Sequence, residues 1–188
     1  MFKPGDMFGD YRVLRRLGKG GMGEVWLLEI EARKQLFAVK IMDPDTSGDH
    51  RARKRFAREA ELAMGVKHPN LVEVYDIGED PETGLCYMLM EYVPGGTLAD
   101  RLRRDGALGV TEALEIVRRL ADVLELVRRH GIVHRDIKPD NVMFGRDGCL
   151  KLADLGIARA ADSNLTAAAA TTVTQGGAMI GTPAYMAP

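Results

Sequence analysis

The chain is 188 residues long, 46% hydrophobic and 28% charged, with a formal net charge of −1. That length suits one sizeable domain, the apolar share excludes disorder throughout, and the near-neutral balance excludes broad attraction to nucleic acid or to a membrane surface. The two cysteines, Cys86 and Cys149, lie far apart in sequence, which excludes a paired zinc or disulfide framework and fits a reducing cytoplasm. No apolar run is long enough to span a bilayer, and residues 1–6 lack the character of a signal peptide.

Residues 11–42 alternate apolar and polar in the manner of strands, broken by glycines. After a turn-rich linker at 43–48, residues 51–66 read as a helix with Phe56, Ala60, Ala63 and Met64 along one side. His68-Pro69-Asn70 stops it, since proline restricts the residue before it. Two further strands are expected at 71–78 and 85–92, then a hinge at Pro94-Gly95-Gly96, then a short helix capped by Thr97 with Asp100 in its first turn. Residues 111–130 form the clearest helix, with Ala113, Leu114, Val117, Leu120, Ala121, Leu124 and Val127 as its apolar stripe and Gly131 as its terminator. Beyond Ala158 the small, polar composition reads as a mobile loop.

Four segments carry chemistry. Gly18-Lys19-Gly20-Gly21-Met22-Gly23-Glu24-Val25 fits G-x-G-x-x-G-x-V, in which absent side chains let backbone amides approach phosphates. Taken alone the pattern suits a structural turn equally well, but a strand after its last glycine disfavours a dinucleotide fold, where a helix should open. Lys40 stands in the apolar strand Phe37-Ala38-Val39-Lys40-Ile41 and either snorkels to water or meets an anionic ligand and a carboxylate. Glu59 and Glu61 are the candidate partners, and Glu59 is better aimed at the sheet. His134-Arg135-Asp136-Ile137-Lys138-Pro139-Asp140-Asn141 packs cations, carboxylates and an amide among apolar residues, as in a partly buried loop whose polar groups need partners. Asp154 ends an apolar strand before Gly156 by way of Leu155. It is either a turn residue or, with Asn141 and Asp136, a source of the hard oxygen ligands that Mg2+ takes beside phosphate.

In this order the four segments resemble the protein kinase family, and the resemblance runs from Gly18 to Pro188. It implies an α+β, bilobal kinase-like fold: an antiparallel sheet with one helix as N-lobe over residues 1–91, then a hinge and a partial, mainly helical C-lobe over 92–188, with an activation segment at 154–188. It also implies roles. Gly18, Gly20 and Gly23 cover the phosphates of ATP. Lys40 pairs with Glu59 and holds the α- and β-phosphates, and Asp136 takes or orients the substrate hydroxyl proton. Asn141 and Asp154 bind Mg2+. Leu17, Val25, Ala38 and Met143 sandwich the base, with the Glu91 carbonyl and Val93 amide facing adenine. Lys138 follows the serine/threonine branch and neutralises charge near the transferred group. Arg135 implies phosphorylation of the loop, at Thr174 before Thr171 or Thr172, and Gly181-Thr182-Pro183 implies a protein substrate.

The composition resembles bacterial members, whose further sequence often adds a membrane anchor. The implied activity is transfer of phosphoryl from Mg·ATP to serine or threonine, with the chain's own loop as one acceptor and a homodimer acting in trans. Two departures stand out: Asp-Leu-Gly in place of Asp-Phe-Gly, and an end at Ala187-Pro188, where the family places Ala-Pro-Glu. The second creates the expectation of an incomplete kinase domain with exposed apolar undersides at 111–130 and 142–152. The rival reading is a weakly active or inactive, pseudokinase-like nucleotide-binding module.

Overall fold

The computed structural model describes residues 2–20, 23–42, 57, 61, 63–81, 83–134, 136–155 and 185. Two compact units emerge, one comprising Met1–Gly65 with Glu73–Tyr92, the other Val66–Val72 with Val93–Pro188.

The first unit is an antiparallel sheet. Its strands are β1 (Met7–Phe8), β2 (Tyr11–Gly20), β3 (Gly23–Ile30), β4 (Gln35–Met42), β5 (Val74–Glu79) and β6 (Cys86–Glu91), in spatial order β1-β2-β3-β4-β6-β5. Alternation sorts the side chains onto two faces. Phe8, Val13, Trp26, Leu28, Phe37, Val39, Ile41 and Leu89 make one core cluster. Cross-strand pairing places Val25 beside Lys40, Leu27 beside Ala38, Lys40 beside Met88 and Ala38 beside Met90 on the opposite face. The strand expected from residue 71 starts instead at Val74. Val72 donates its backbone N–H to Leu152 O at 2.9 Å and Asn70 Nδ2 donates to Leu150 O at 2.7 Å, so residues 66–72 are drawn into the second unit. Ala57, Glu61, Ala63 and Met64 are helical; Ala63 is buried, but Met64 is exposed and does not join the expected inner side.

The second unit holds α1 (Leu98–Asp105), α2 (Val110–Arg129), a 3-10 turn at Pro139–Asn141, and the hairpin β7 (Val142–Phe144) and β8 (Leu150–Leu152). Thr97 caps α1 through a reciprocal pair: its Oγ1 accepts from Asp100 N at 3.0 Å, and Asp100 Oδ2 accepts from Thr97 N at 3.0 Å. The glycines before it serve a close approach. Gly95 N donates to Phe144 O at 2.7 Å, Phe144 N donates to Gly96 O at 3.0 Å, and a Cβ on Gly95 would overlap the Phe144 carbonyl.

The apolar stripe on α2 is only partly the expected one. Ile116, Val123 and Val127 are the buried residues, whereas Leu114 and Val117 are 64% and 62% exposed. The helix is apolar over more than one face, and β8 packs against only one of them. Exposure of the helix underside is thus as expected. For the hairpin it is not: Val142, Leu150 and Leu152 are fully buried, because β7 and β8 shield each other and α2 covers β8. Among the described residues, no helix is long and apolar enough to cross a membrane.

Candidate active site

In the first unit, the glycine segment bridges β2 and β3. Gly18 pairs with Val25, Lys19 with Glu24 and Gly20 with Gly23, with a register shift between Arg16 and Gly18 that leaves Leu17 as the extra residue. Gly23 has φ +141°, which favours glycine. Gly18 and Gly20 are different: a Cβ built on either meets no heavy atom within 4 Å among the described residues. Packing among the described residues therefore does not require glycine at either position. Val25, Ala38 and Lys40 share the sheet face opposite the Trp26 core, with Ala38 buried and Val25 and Lys40 half-buried. Glu91 ends β6, and its N–H donates to Glu73 O at 2.8 Å.

In the second unit, a buried polar cluster forms where α2 runs into the 3-10 turn. Asp136 and Asn141 are both buried. Asn141 Nδ2 donates to the Asp136 backbone carbonyl at 2.7 Å and to Asp136 Oδ2 at 3.1 Å. Lys138 Nζ lies 2.8 Å from the same Oδ2. With its Nδ2 committed in this way, Asn141 presents Oδ1 as the atom suited to a cation. Asn141 O accepts from Ala153 N at 2.8 Å, which fixes the turn to the residue before Asp154. Asp154 itself is exposed at φ +50°, and Leu155 after it is buried. The leucine that replaces phenylalanine thus fills an apolar position.

His134, to which sequence reasoning assigned no role, anchors this cluster. Its Nδ1 accepts from Asp136 N at 3.4 Å, so its Nε2 carries the proton and donates to Ala153 O at 3.2 Å. Burial pushes the imidazole pKa down from its ordinary value, favouring this neutral form. The available signal was its spacing, two residues before a buried aspartate in a loop with interleaved apolar residues. The carboxylate of Glu24 was also overlooked; it is 4% exposed within β3.

The expected catalytic, nucleotide and metal residues divide between the units: Leu17, Gly18, Gly20, Gly23, Val25, Ala38, Lys40 and Glu91 fall in the first, Val93, Asp136, Lys138, Asn141, Met143 and Asp154 in the second. Val93 is buried, and Met143 in β7 bridges to Thr97. Glu59, Arg135, Thr171, Thr172, Thr174 and residues 181–183 lie outside the described residues. Among the described residues, no three His, Cys, Asp or Glu side chains gather as a metal cluster.

Comparison with known proteins bears on these two constellations together. The chain is 37% identical to the serine/threonine-protein kinase PrkC of Bacillus subtilis, over 96% of this chain and 26% of that protein. It is 39% identical to the serine/threonine-protein kinase PknB of Mycolicibacterium smegmatis, over 100% of this chain and 30% of that protein. A crystal structure of the Mycobacterium tuberculosis PknI kinase domain superposes with a TM-score of 0.70 at 36% identity, covering 84% of this chain and 64% of that one. The chain thus spans less than a third of the two curated relatives. The protein kinase domain family matches residues 11–188. By that match over nearly the whole chain, and by the likeness to these kinases, the chain belongs to the protein kinase domain family and has the kinase-like α+β fold.

Proposed function

We propose that the protein transfers a phosphoryl group from ATP, with Mg2+, to serine or threonine hydroxyls of protein substrates, its own activation segment included. The observation that carries this reading is the buried Asp136 carboxylate, held at one oxygen by Lys138 and Asn141. A carboxylate fixed in this way is oriented before a substrate arrives, and orientation supplies much of the rate in this chemistry. The acceptor oxygen forms the new bond to phosphorus as the bond to ADP breaks, and Asp136 takes the hydroxyl proton. Lys138 supplies positive charge beside that step.

The residues fit the nucleotide and the metal. Open backbone at Gly18 and Gly20 suits close approach of phosphate. Lys40, central in the sheet, offers an ammonium on the same face as Val25 and Ala38. Asn141 Oδ1 and the exposed Asp154 carboxylate are hard oxygen donors of the kind Mg2+ takes when phosphates complete its shell. The metal, when bound, neutralises charge that develops on the transferred group.

The test is incubation of the chain with radiolabelled ATP, magnesium and a generic basic protein, followed by phosphoamino-acid analysis. Label on serine or threonine is expected. Asp136→Asn should abolish transfer while leaving ATP affinity within about twofold, a change of under 0.5 kcal/mol. Transfer unaffected by Asp136→Asn or by Lys40→Met would overturn the assignment. Nucleotide binding without any transfer would favour the binding-module reading.

A further inference from the structure

We propose that Glu24 is a positioning residue for the phosphate-facing glycines, acting from the far side of the sheet; this rests on the ATP reading above. Glu24 follows Gly23 directly, yet its side chain lies on the Trp26 face, opposite Val25 and Lys40. There its carboxylate is buried and triply engaged. Trp26 Nε1 donates to Oε2 at 3.1 Å, Arg16 Nη1 donates to Oε1 at 3.0 Å, and Lys19 Nζ lies 3.6 Å from Oε1.

The need for such a latch follows from the glycines themselves. A strand rich in glycine specifies its register weakly, because no side chains pack across the pair. Gly18 and Gly20 have nothing within 4 Å of a built Cβ among the described residues, so sterics do not fix this arm of β2. Arg16 precedes Gly18 and Lys19 follows it, and both converge on one carboxylate of β3 across the register shift. Two half-exposed cations thereby clamp Gly18 from either side, and the indole locks the carboxylate from below. Charge-assisted bonds to a buried acceptor hold geometry better than exposed pairs. Because Glu24 faces away from the nucleotide face, it acts through the backbone and not by contact with ligand.

A role in positioning phosphate differs from a role in holding the sheet together, and ligand choice separates the two. Isothermal titration of the chain with Mg·ATP and with adenosine is compared for wild type, Glu24→Gln, Arg16→Met and the double variant. Glu24→Gln should raise the Kd for ATP about tenfold, or ~1.4 kcal/mol, and leave that for adenosine within about twofold. Arg16→Met, at an exposed position that tolerates change, should act in the same direction, and the double variant should be no weaker than Glu24→Gln alone. Equal losses for ATP and adenosine, or unchanged ATP affinity in both single variants, would overturn the inference while leaving the nucleotide reading intact. A wild-type chain that binds no ATP would remove both.

Discussion

Neutralising Asp136 measures how firmly the fold holds the proposed catalytic carboxylate. In Asp136→Asn the Lys138 ammonium loses a partner 2.8 Å away, in a pair whose side chains are 21% and 9% exposed. At an effective dielectric of about 20, charges that close attract by roughly 6 kcal/mol. Desolvation of both ions cancels most of this, and the partial exposure of Lys138 screens it further, which leaves a coupling of about 2 kcal/mol. Asp136→Asn alone should therefore cost about 2–3 kcal/mol of unfolding free energy, since it strands a partly buried cation. Lys138→Met should cost less, because Asn141 Nδ2 still donates to Oδ2. The double variant should recover about 2 kcal/mol relative to the sum of the single losses. Urea denaturation of the four proteins reads this directly. Losses that add to within about 0.5 kcal/mol would refute the coupling and with it the view of Asp136 as preset by the fold.

Other sites give independent checks. Gly95→Ala, which drives a methyl into the Phe144 carbonyl, should cost about 2 kcal/mol or more in denaturation, whereas Gly18→Ala should leave stability within about 0.5 kcal/mol and weaken ATP binding in titration. For His134 the folded pKa lies below the unfolded value of about 6.5, so the unfolded chain binds more protons in the window beneath that value. Its stabilising contribution is full above about pH 6.5 and shrinks as pH falls, so the stability gap between wild type and His134→Gln should narrow toward acid; a constant gap would refute it. Leu114→Gln and Val117→Gln should each change unfolding free energy by no more than about 0.5 kcal/mol in urea denaturation, and a loss of about 2 kcal/mol or more would show that this face is packed.

Much of the fold was legible in the sequence because it is written in local pattern. Alternation marked β2, β3 and β4, and Thr97 with Asp100 announced the cap of α1. The four chemical segments were legible for the same reason: glycine spacing and a polar run among apolar residues are local signals. What escaped depended on distant partners. His68-Pro69-Asn70 read as a helix stop and Leu71 as the start of a strand, but Asn70 answers to Leu150, 80 positions away. On α2, periodicity identified an apolar surface without saying which part of it β8 would cover, so the stripe included the exposed Leu114 and Val117 and left out the buried Ile116 and Val123. Glu24 was read as part of a motif, since nothing local reveals that Arg16 and Lys19 reach its carboxylate from the neighbouring strand.

The position of Trp26 has a practical consequence for anyone who melts this protein. It is the sole indole of the chain and lies in the first unit, while α1 and α2 lie in the second. Emission excited at the indole band therefore follows the sheet, and far-ultraviolet ellipticity is weighted toward the helices. If the two traces superpose, the halves unfold as one cooperative body; if they separate, each half has its own transition and a single melting temperature describes neither.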